Sequence, residues 1–350
     1  MAVLEVHDLS VTFTTPAGPL TAVNGVSFEL EAGEAMGVVG ESGSGKSVLS
    51  RSIMNILAGN GSRDGTVIID GKNIDELSRR ERKHFFGVKV AMVFQDPMTS
   101  LNPVKRIGAQ ITEGMTQHLG ISKREARSRA LDLMRQVRIP SPEERLQQYP
   151  HELSGGMRQR VVIAMALACE PQVLIADEPT TALDVTVQKT ILDLLEELRR
   201  ERNMALILIT HDLGVARGRT DKIAVMYGGQ MMEFAGAEDL FSTMGHPYTE
   251  ALLDSIPDVM NPSHTRLTPI PGRPPDLLDP PDGCLFAPRC KYAQDKCTVE
   301  APPLTPEWSD HMFRCFYPVG TPDGLEARRV NEGRGVTATG LSLDAEAVVS

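Results

Sequence analysis

Apolar and polar positions alternate over the first thirty residues: Leu9, Val11 and Phe13, then Val26, Phe28 and Leu30, with a Pro/Gly turn at 16–19 between them. A period of two sends successive side chains to opposite faces, so both stretches read as half-buried strands. A short apolar strand at 35–39 runs into a glycine-rich loop and a helical stretch at 47–57. Residues 66–69 followed by Asp70-Gly71 predict a strand entering a hairpin. The spacing turns helical from Ile107 to about residue 168. Within it, Ser141-Pro142-Glu143-Glu144 has the form of a helix start, with an N-cap, a proline at the first helical position and a capping-box glutamate. Apolar runs at 173–176 and 205–210 then flank a helix from about Val185, in which Val187, Ile191, Leu194, Leu195 and Leu198 share one face. Strand–helix–strand order of this kind predicts a parallel sheet covered by helices, an α/β fold.

The pattern changes near residue 256. Thirteen of the 24 prolines fall between Pro257 and Pro318, which leaves little room for regular structure. From about residue 319 the chain is Gly-rich and polar, and disorder is expected. We therefore divide it at 1–255, 256–318 and 319–350, with a helical insert at about 97–160.

With 350 residues, 41% hydrophobic and 23% charged, the composition is that of a globular protein. A net charge of −10 argues against a nucleic-acid partner, which basic side chains would bind. No apolar run is long enough to cross a bilayer, and the N-terminus has no signal-peptide pattern. A cytoplasmic location is expected, with any membrane contact made through partners. Of five cysteines, Cys169 lies in an apolar helical stretch, whereas Cys284, Cys290, Cys297 and Cys315 cluster in the proline-rich part.

Three motifs carry chemistry. Gly40-Glu41-Ser42-Gly43-Ser44-Gly45-Lys46-Ser47 follows a predicted strand and opens a predicted helix, the context of a phosphate-binding P-loop. Glycines let backbone N–H groups curl around phosphate oxygens, Lys46 would reach the β- and γ-phosphates, and Ser47 would ligate Mg²⁺. The apolar run ending in Asp177-Glu178 supplies two carboxylates at a sheet edge: Asp177 to hold Mg²⁺, Glu178 to act as a general base on water. Ser154-Gly155-Gly156 caps a long helix and exposes further N–H groups. One loop already cradles the chain's own nucleotide, so this second anion site implies a phosphate presented by another molecule.

The segment Leu153-Ser154-Gly155-Gly156-Met157-Arg158-Gln159 resembles the signature motif of ABC-transporter ATPases, and the resemblance extends from about residue 3 to 318. It implies a P-loop NTPase core with a helical subdomain, binding and hydrolysing ATP with Mg²⁺. By the same resemblance Phe13 matches an adenine-stacking aromatic, though it reads equally as a core strand residue. Gln95 matches a glutamine that senses Mg²⁺ and water. Thr181-Ala182-Leu183-Asp184 matches the D-loop, whose Asp184 reaches the partner subunit, and His211 matches the switch histidine at the γ-phosphate. Ser154, Gly155 and Gly156 would contact ATP held by a second ATPase subunit. Met157, His246-Pro247-Tyr248-Thr249, Pro269-Ile270-Pro271-Gly272 and the four-cysteine tail are similar to the dipeptide/oligopeptide importer branch, with nickel and glutathione systems close by. That branch implies two membrane permease subunits, an extracytoplasmic substrate-binding protein and a peripheral place on the cytoplasmic side of the membrane. An ABC ATPase that works without a membrane partner is the alternative.

The four cysteines are spaced C-x₅-C-x₆-C-x₁₇-C, without the tight C-x₂-C pairs of zinc ribbons. Four thiolates suit a [4Fe–4S] cluster or Zn²⁺, and free thiols remain an alternative; the resemblance favours the cluster. Because every nucleotide motif precedes residue 212, this tail is expected to stand apart from ATP chemistry.

Overall fold

We describe the chain from a computed structural model, which describes residues 2–181, 183–255, 269–308 and 310–343. Five strands come early: β1 (Ala2–Thr15), β2 (Gly18–Glu31), β3 (Ala35–Val39), β4 (Gly61–Ile69) and β5 (Lys72–Asn73). β1 pairs antiparallel with both β2 and β4, and β4 turns at Asp70-Gly71 into β5, as the hairpin signal predicted. The remaining strands are β6 (Val90–Val93), β7 (Val173–Asp177), β8 (Ala205–Thr210), β9 (Lys222–Tyr227), β10 (Gln230–Gly236), β11 (Thr305–Trp308) and β12 (His311–Phe313).

The main sheet has the order β11-β12-β10-β9-β3-β8-β7-β6, parallel from β9 through β6 and antiparallel beyond. Every residue of β3, β6, β7 and β8 is buried, which explains their unbroken apolar runs: helices or a second sheet cover both faces. One face, with Val38, Ile175 and Ile207, packs against the antiparallel sheet through Leu4, Val6 and Val67. The other, with Leu174, Leu206 and Leu208, packs under helices carrying Val161, Ile191 and Leu195. Helices Ile107–Gly114, Lys123–Gln136 and Gly155–Ala166 make up most of the expected helical insert.

Two local expectations change. The start at Ser141 gives only the four-residue helix Pro142–Arg145, and Ser141 makes no capping bond. Its φ of +50° is left-handed, whereas a capping serine takes an extended conformation that aims its hydroxyl at the first turn. The helix after the glycine-rich loop, Lys46–Ile53, ends before residue 57 because Asn55 turns left-handed.

The C-terminal part is more ordered than its prolines suggested. A third core cluster joins Val225, Tyr227 and Met232 of the sheet to Tyr248, Phe286, Tyr292, Cys290 and Cys297. β12 extends the main sheet by pairing with β10. Past residue 319, where disorder was expected, the chain forms the helix Pro322–Arg334, capped by Thr321. Its Asn331 is fully buried and donates to the carbonyls of Lys291 (2.9 Å) and Ala293 (3.0 Å), a tertiary anchor that local composition does not reveal. The boundary expected at 255/256 and the final residues 344–350 fall at or within segments outside the described residues.

Glu233 on β10 locks this part together. It is fully buried and accepts the amides of Gly245 (2.6 Å) and His246 (3.1 Å) and the Thr249 hydroxyl, and it pairs with His311 Nε2 at 2.6 Å. A buried carboxylate is tolerated only when its lone pairs are filled in this way. Glu233→Ala should strand those donors and destabilise the chain by about 3–5 kcal/mol, the usual cost of removing one partner from a buried pair. A lower urea midpoint is the expected readout; an unchanged midpoint would show that the network contributes nothing.

Candidate nucleotide-binding site

Parallel pairing brings the motif residues to one edge of the sheet. Val39 pairs with Thr210, Asp177 with Ile209 and Val93 with Ala176, so the loops beginning at Gly40, Phe94, Glu178 and His211 leave the sheet side by side. Gly40, Gly43 and Gly45 all have positive φ. At Gly40 a Cβ would lie 2.1 Å from the Met226 carbonyl oxygen, and at Gly45 2.4 Å from that of Ala22, so no side chain fits at either position. Ser42 and Gly43 are exposed at the tip, while Ser44, Gly45 and Lys46 are buried below it.

Lys46 Nζ donates to the carbonyls of Gly40 and Glu41, both at 2.8 Å, and lies 3.4 Å from Ser44 Oγ. Burial pulls its pKa down, and the nearby carboxylates of Glu178, Asp177 and Glu41 only partly oppose this. An incoming phosphate would supply the missing countercharge. Ser47 Oγ donates to Asp177 Oδ1 at 3.0 Å, so the two expected Mg²⁺ ligands already touch. Burial raises the Asp177 pKa, and Ser47 and Arg51 hold it back.

Glu178 is the meeting point. Its Oε2 accepts from Gln95 Nε2 (3.0 Å) and Thr181 Oγ1 (2.8 Å) and lies 3.4 Å from His211 Nδ1. Its φ of +45° is rare for a glutamate, and its amide donates to the Ile209 carbonyl at 3.0 Å. That turn, just past β7, aims the carboxylate along the sheet edge toward β6 and β8.

Phe13, Ser154, Gly155, Gly156 and Asp184 lie elsewhere. Phe13 is half-buried on β1 against the antiparallel-sheet core, opposite Gly61. Ser154 caps the helix Gly155–Ala166 by accepting from the Met157 amide at 3.3 Å, with Ser154 and Gly155 exposed. Gly156 lies so close to Val187 that a Cβ would come within 2.9 Å of it. Exposed Asp184 caps the helix Val185–Arg202.

Residues 23–181 match the family described as ABC transporter, and 232–297 the one described as oligopeptide/dipeptide transporter, C-terminal region. The oligopeptide transport ATP-binding protein OppD of Salmonella typhimurium is 51% identical over 316 residues, covering 90% of this chain and 94% of that protein. This chain is an ABC transporter ATPase. The dipeptide transport ATP-binding protein DppD of Escherichia coli is 48% identical to this ATPase, across 91% of the chain and 98% of its own length. Among solved structures, a dimeric ATP-binding cassette in a post-hydrolysis state with ADP and Pi aligns with TM-score 0.60 and 28% identity, over 67% of this chain and 98% of that one. A cassette from Clostridium perfringens, part of a cbiONQ transporter complex, aligns with TM-score 0.59 and 29% identity, over 69% and 91%. The ATPase thus has the ABC-type P-loop NTPase fold, and it binds and hydrolyses ATP with Mg²⁺. Among its described residues no helix is long and apolar enough to cross a membrane.

The four tail cysteines come together. Cys284, Cys290, Cys297 and Cys315 line one small cavity with His246, Phe286 and Tyr292. Burial pushes all four thiols upward, Cys284 to about 11. Two receive backbone amides, Tyr292 N at 3.4 Å from Cys290 Sγ and Tyr317 N at 3.3 Å from Cys315 Sγ. Among the described residues only Glu5, His7 and Glu29 bring three ligand atoms within 4.8 Å of one another, so no three of the four sulfurs are that close together.

Sequence reading missed Thr181 as a direct partner of Glu178, and it missed Arg51 beside Asp177. It also missed a long-range contact: Arg289, from the cysteine-bearing part, pairs with Glu41 of the glycine-rich loop. The tail therefore does not stand apart from the nucleotide motifs. No local pattern marks a pair 248 residues apart. The crowding at Gly40 yields a prediction. Gly40→Ala should push the loop off the Met226 carbonyl and weaken ATP binding at least tenfold, measured by nucleotide titration, while circular dichroism keeps its helical signal. Unchanged affinity would mean that the loop has room the distances deny.

Proposed function

We propose that this ATPase energises uptake of di- or oligopeptides, working as one of two ATPase subunits on the cytoplasmic face of a membrane permease pair. The observation that carries the chemical part is the convergence of Gln95, Thr181 and His211 on Glu178 beside the Ser47–Asp177 pair. The glycine-rich loop and Lys46 bind the β- and γ-phosphates. Ser47 and Asp177 hold Mg²⁺ with Gln95 nearby, and the ion supplies charge neutralisation at the phosphates. Glu178 then takes the proton of the attacking water, with Gln95 and Thr181 fixing its carboxylate and His211 placed to contact the γ-phosphate. Phe13 stacks on adenine in this reading.

Ser154 and Gly155 are exposed at this helix start, as a surface for a partner's ATP must be, and Asp184 is near in space, since its neighbours Leu183 and Val187 lie against Gly155 and Gly156. Two subunits would meet head to tail and enclose two ATP molecules, and their reopening after hydrolysis would drive the permeases. Apolar Phe94, Met98 and Val104 are exposed around Gln95, a surface suited to a permease helix. The peptide class, the extracytoplasmic binding protein and the peripheral membrane location rest on likeness to the OppD and DppD proteins.

The cysteine cavity fits a [4Fe–4S] cluster better than Zn²⁺. A single tetrahedral zinc, with Zn–S of about 2.3 Å, would hold all its sulfurs about 3.8 Å apart, whereas no three of these lie within 4.8 Å of one another. Amide donors to sulfur are what a cluster's thiolates take, and such a group would supply the charge that lets four buried thiols ionise. His246 also lines this cavity. Its Nδ1 accepts the Tyr248 amide at 3.0 Å, which leaves the proton on Nε2. That buried Nε2 has no hydrogen-bond partner; the Arg314 carbonyl lies near it without completing a bond. Cys284, Cys290, Cys297 and Cys315 would be the four ligands.

Glu178→Gln keeps the size and most hydrogen bonds of the side chain but removes the base. In the assembled transporter kcat should fall by about 10²–10⁴-fold with ATP binding intact. Near-normal turnover would take Glu178 out of that role. For the cysteines, protein purified without oxygen should be brown and contain iron and sulfide in matching amounts. Replacing any one of the four by Ser should bleach it, and Cys169→Ser should not. Colourless protein holding one zinc per chain would overturn the cluster and leave the ATPase reading standing.

A further inference from the structure

The cysteine-bearing lobe reaches back across the molecule to grip the glycine-rich loop. Arg289, next to Cys290, is 4% exposed. Its guanidinium meets Glu41 with two prongs: Nη1 is 2.6 Å from Oε2 and Nη2 is 3.0 Å from Oε1. Its other donors go to the Pro271 carbonyl (2.7 Å), Tyr227 Oη (3.1 Å) and the Ile270 carbonyl (3.4 Å). All five N–H groups are therefore engaged, and the guanidinium cannot swing without losing several bonds at once.

Glu41 is held on every polar side. Its amide donates to Tyr248 Oη at 2.8 Å, its carboxylate takes Arg289, and its carbonyl accepts from Lys46 Nζ at 2.8 Å. Tyr227, Tyr248 and Phe286 pack behind this contact, with ring centroids 4.6 Å apart for the tyrosine pair and 5.2 Å for Tyr248 and Phe286. The residue gripped is the second of a loop whose glycines at 40, 43 and 45 give it unusual freedom. Glu41 also brings negative charge to the loop that must accept phosphate.

We infer that Arg289 is a positioning residue for ATP binding. By clamping Glu41 it holds the loop in its phosphate-accepting shape and turns the carboxylate away from Lys46. Nucleotide affinity thereby depends on the integrity of the cysteine lobe. Without the clamp the loop spends less time competent to bind, and apparent affinity falls by that fraction. The freed carboxylate also competes with phosphate for Lys46. This inference rests on reading residues 40–47 as the ATP phosphate loop.

The test uses the full-length chain and Mg–ATP. Arg289→Gln should raise the ATP dissociation constant roughly tenfold, in the range typical of coupled sites. In the assembled transporter KM for ATP should rise with it, while kcat at saturating ATP stays within about twofold, the pattern of lost ground-state binding. Glu41→Gln should weaken binding less, since it removes the competing charge along with the clamp. The double variant should be no worse than Arg289→Gln alone, because both changes break one contact. Arg289→Lys keeps the charge but loses the two-pronged grip, and it should fall between wild type and Arg289→Gln. It also serves if Arg289→Gln melts early in circular dichroism. Lys46→Ala is the control for the loop itself. If Lys46→Ala abolishes binding while Arg289→Gln and Arg289→Lys leave affinity unchanged, the clamp is wrong. Losses that add fully in the double variant would also overturn it. If Lys46→Ala changes nothing, the loop assignment fails instead.

Discussion

Parallel hydrogen bonding among β3, β8, β7 and β6 is the constraint on which the rest of this ATPase depends. Because the strands run the same way and end in register, four loops far apart in sequence leave the sheet at one edge. One of them carries the amides and the ammonium that suit phosphate; the other three bring the carboxylates, the glutamine and the histidine that suit metal and water. Ligands gather at such edges in open α/β sheets because loops there can converge without disturbing the core. The apolar strands carry the geometry, and the polar residues just past their ends carry the chemistry.

The polar groups at this edge hold one another, some within a loop and some between loops. Ser47 holds Asp177, and Gln95 and Thr181 hold Glu178. Lys46 folds back on the carbonyls of its own loop. Such pairing keeps charged side chains oriented in a buried, poorly solvated place where unpaired charge is costly. Phosphate entering the loop can exchange these internal bonds for its own, so the site is largely formed before nucleotide arrives.

The C-terminal lobe is built by a different logic. It has few apolar residues of its own, and it gains order by borrowing the main sheet: β12 adds to β10, and Phe286 and Tyr292 pack on Val225 and Tyr227. Buried polar anchors take the place of a large core. Glu233 gathers four donors, Asn331 ties the last helix to the cysteine segment, and Arg289 crosses to Glu41. Anchors of this kind make the lobe continuous with the ATPase core, so a change in one is felt in the other.

Much of this was written in local sequence. The alternation of β1 and β2, the apolar runs of β3, β7 and β8, the Asp70-Gly71 hairpin and the glycine-rich loop between strand and helix are short-range signals. Each follows from backbone sterics and from the periodicity of burial. The motif order alone pointed to an ABC-type ATPase. Tertiary structure decided what depends on residues far apart in the chain. It showed that Ser141 turns left-handed and caps nothing, and that a polar, Gly-rich stretch folds into a helix because Asn331 finds two buried carbonyls. It gathered four loosely spaced cysteines around one cavity, and it placed Arg289 against Glu41. Propensity and spacing report what a segment prefers alone; burial and long-range hydrogen bonds report what its neighbours allow, and those neighbours exist only once the sheet has formed.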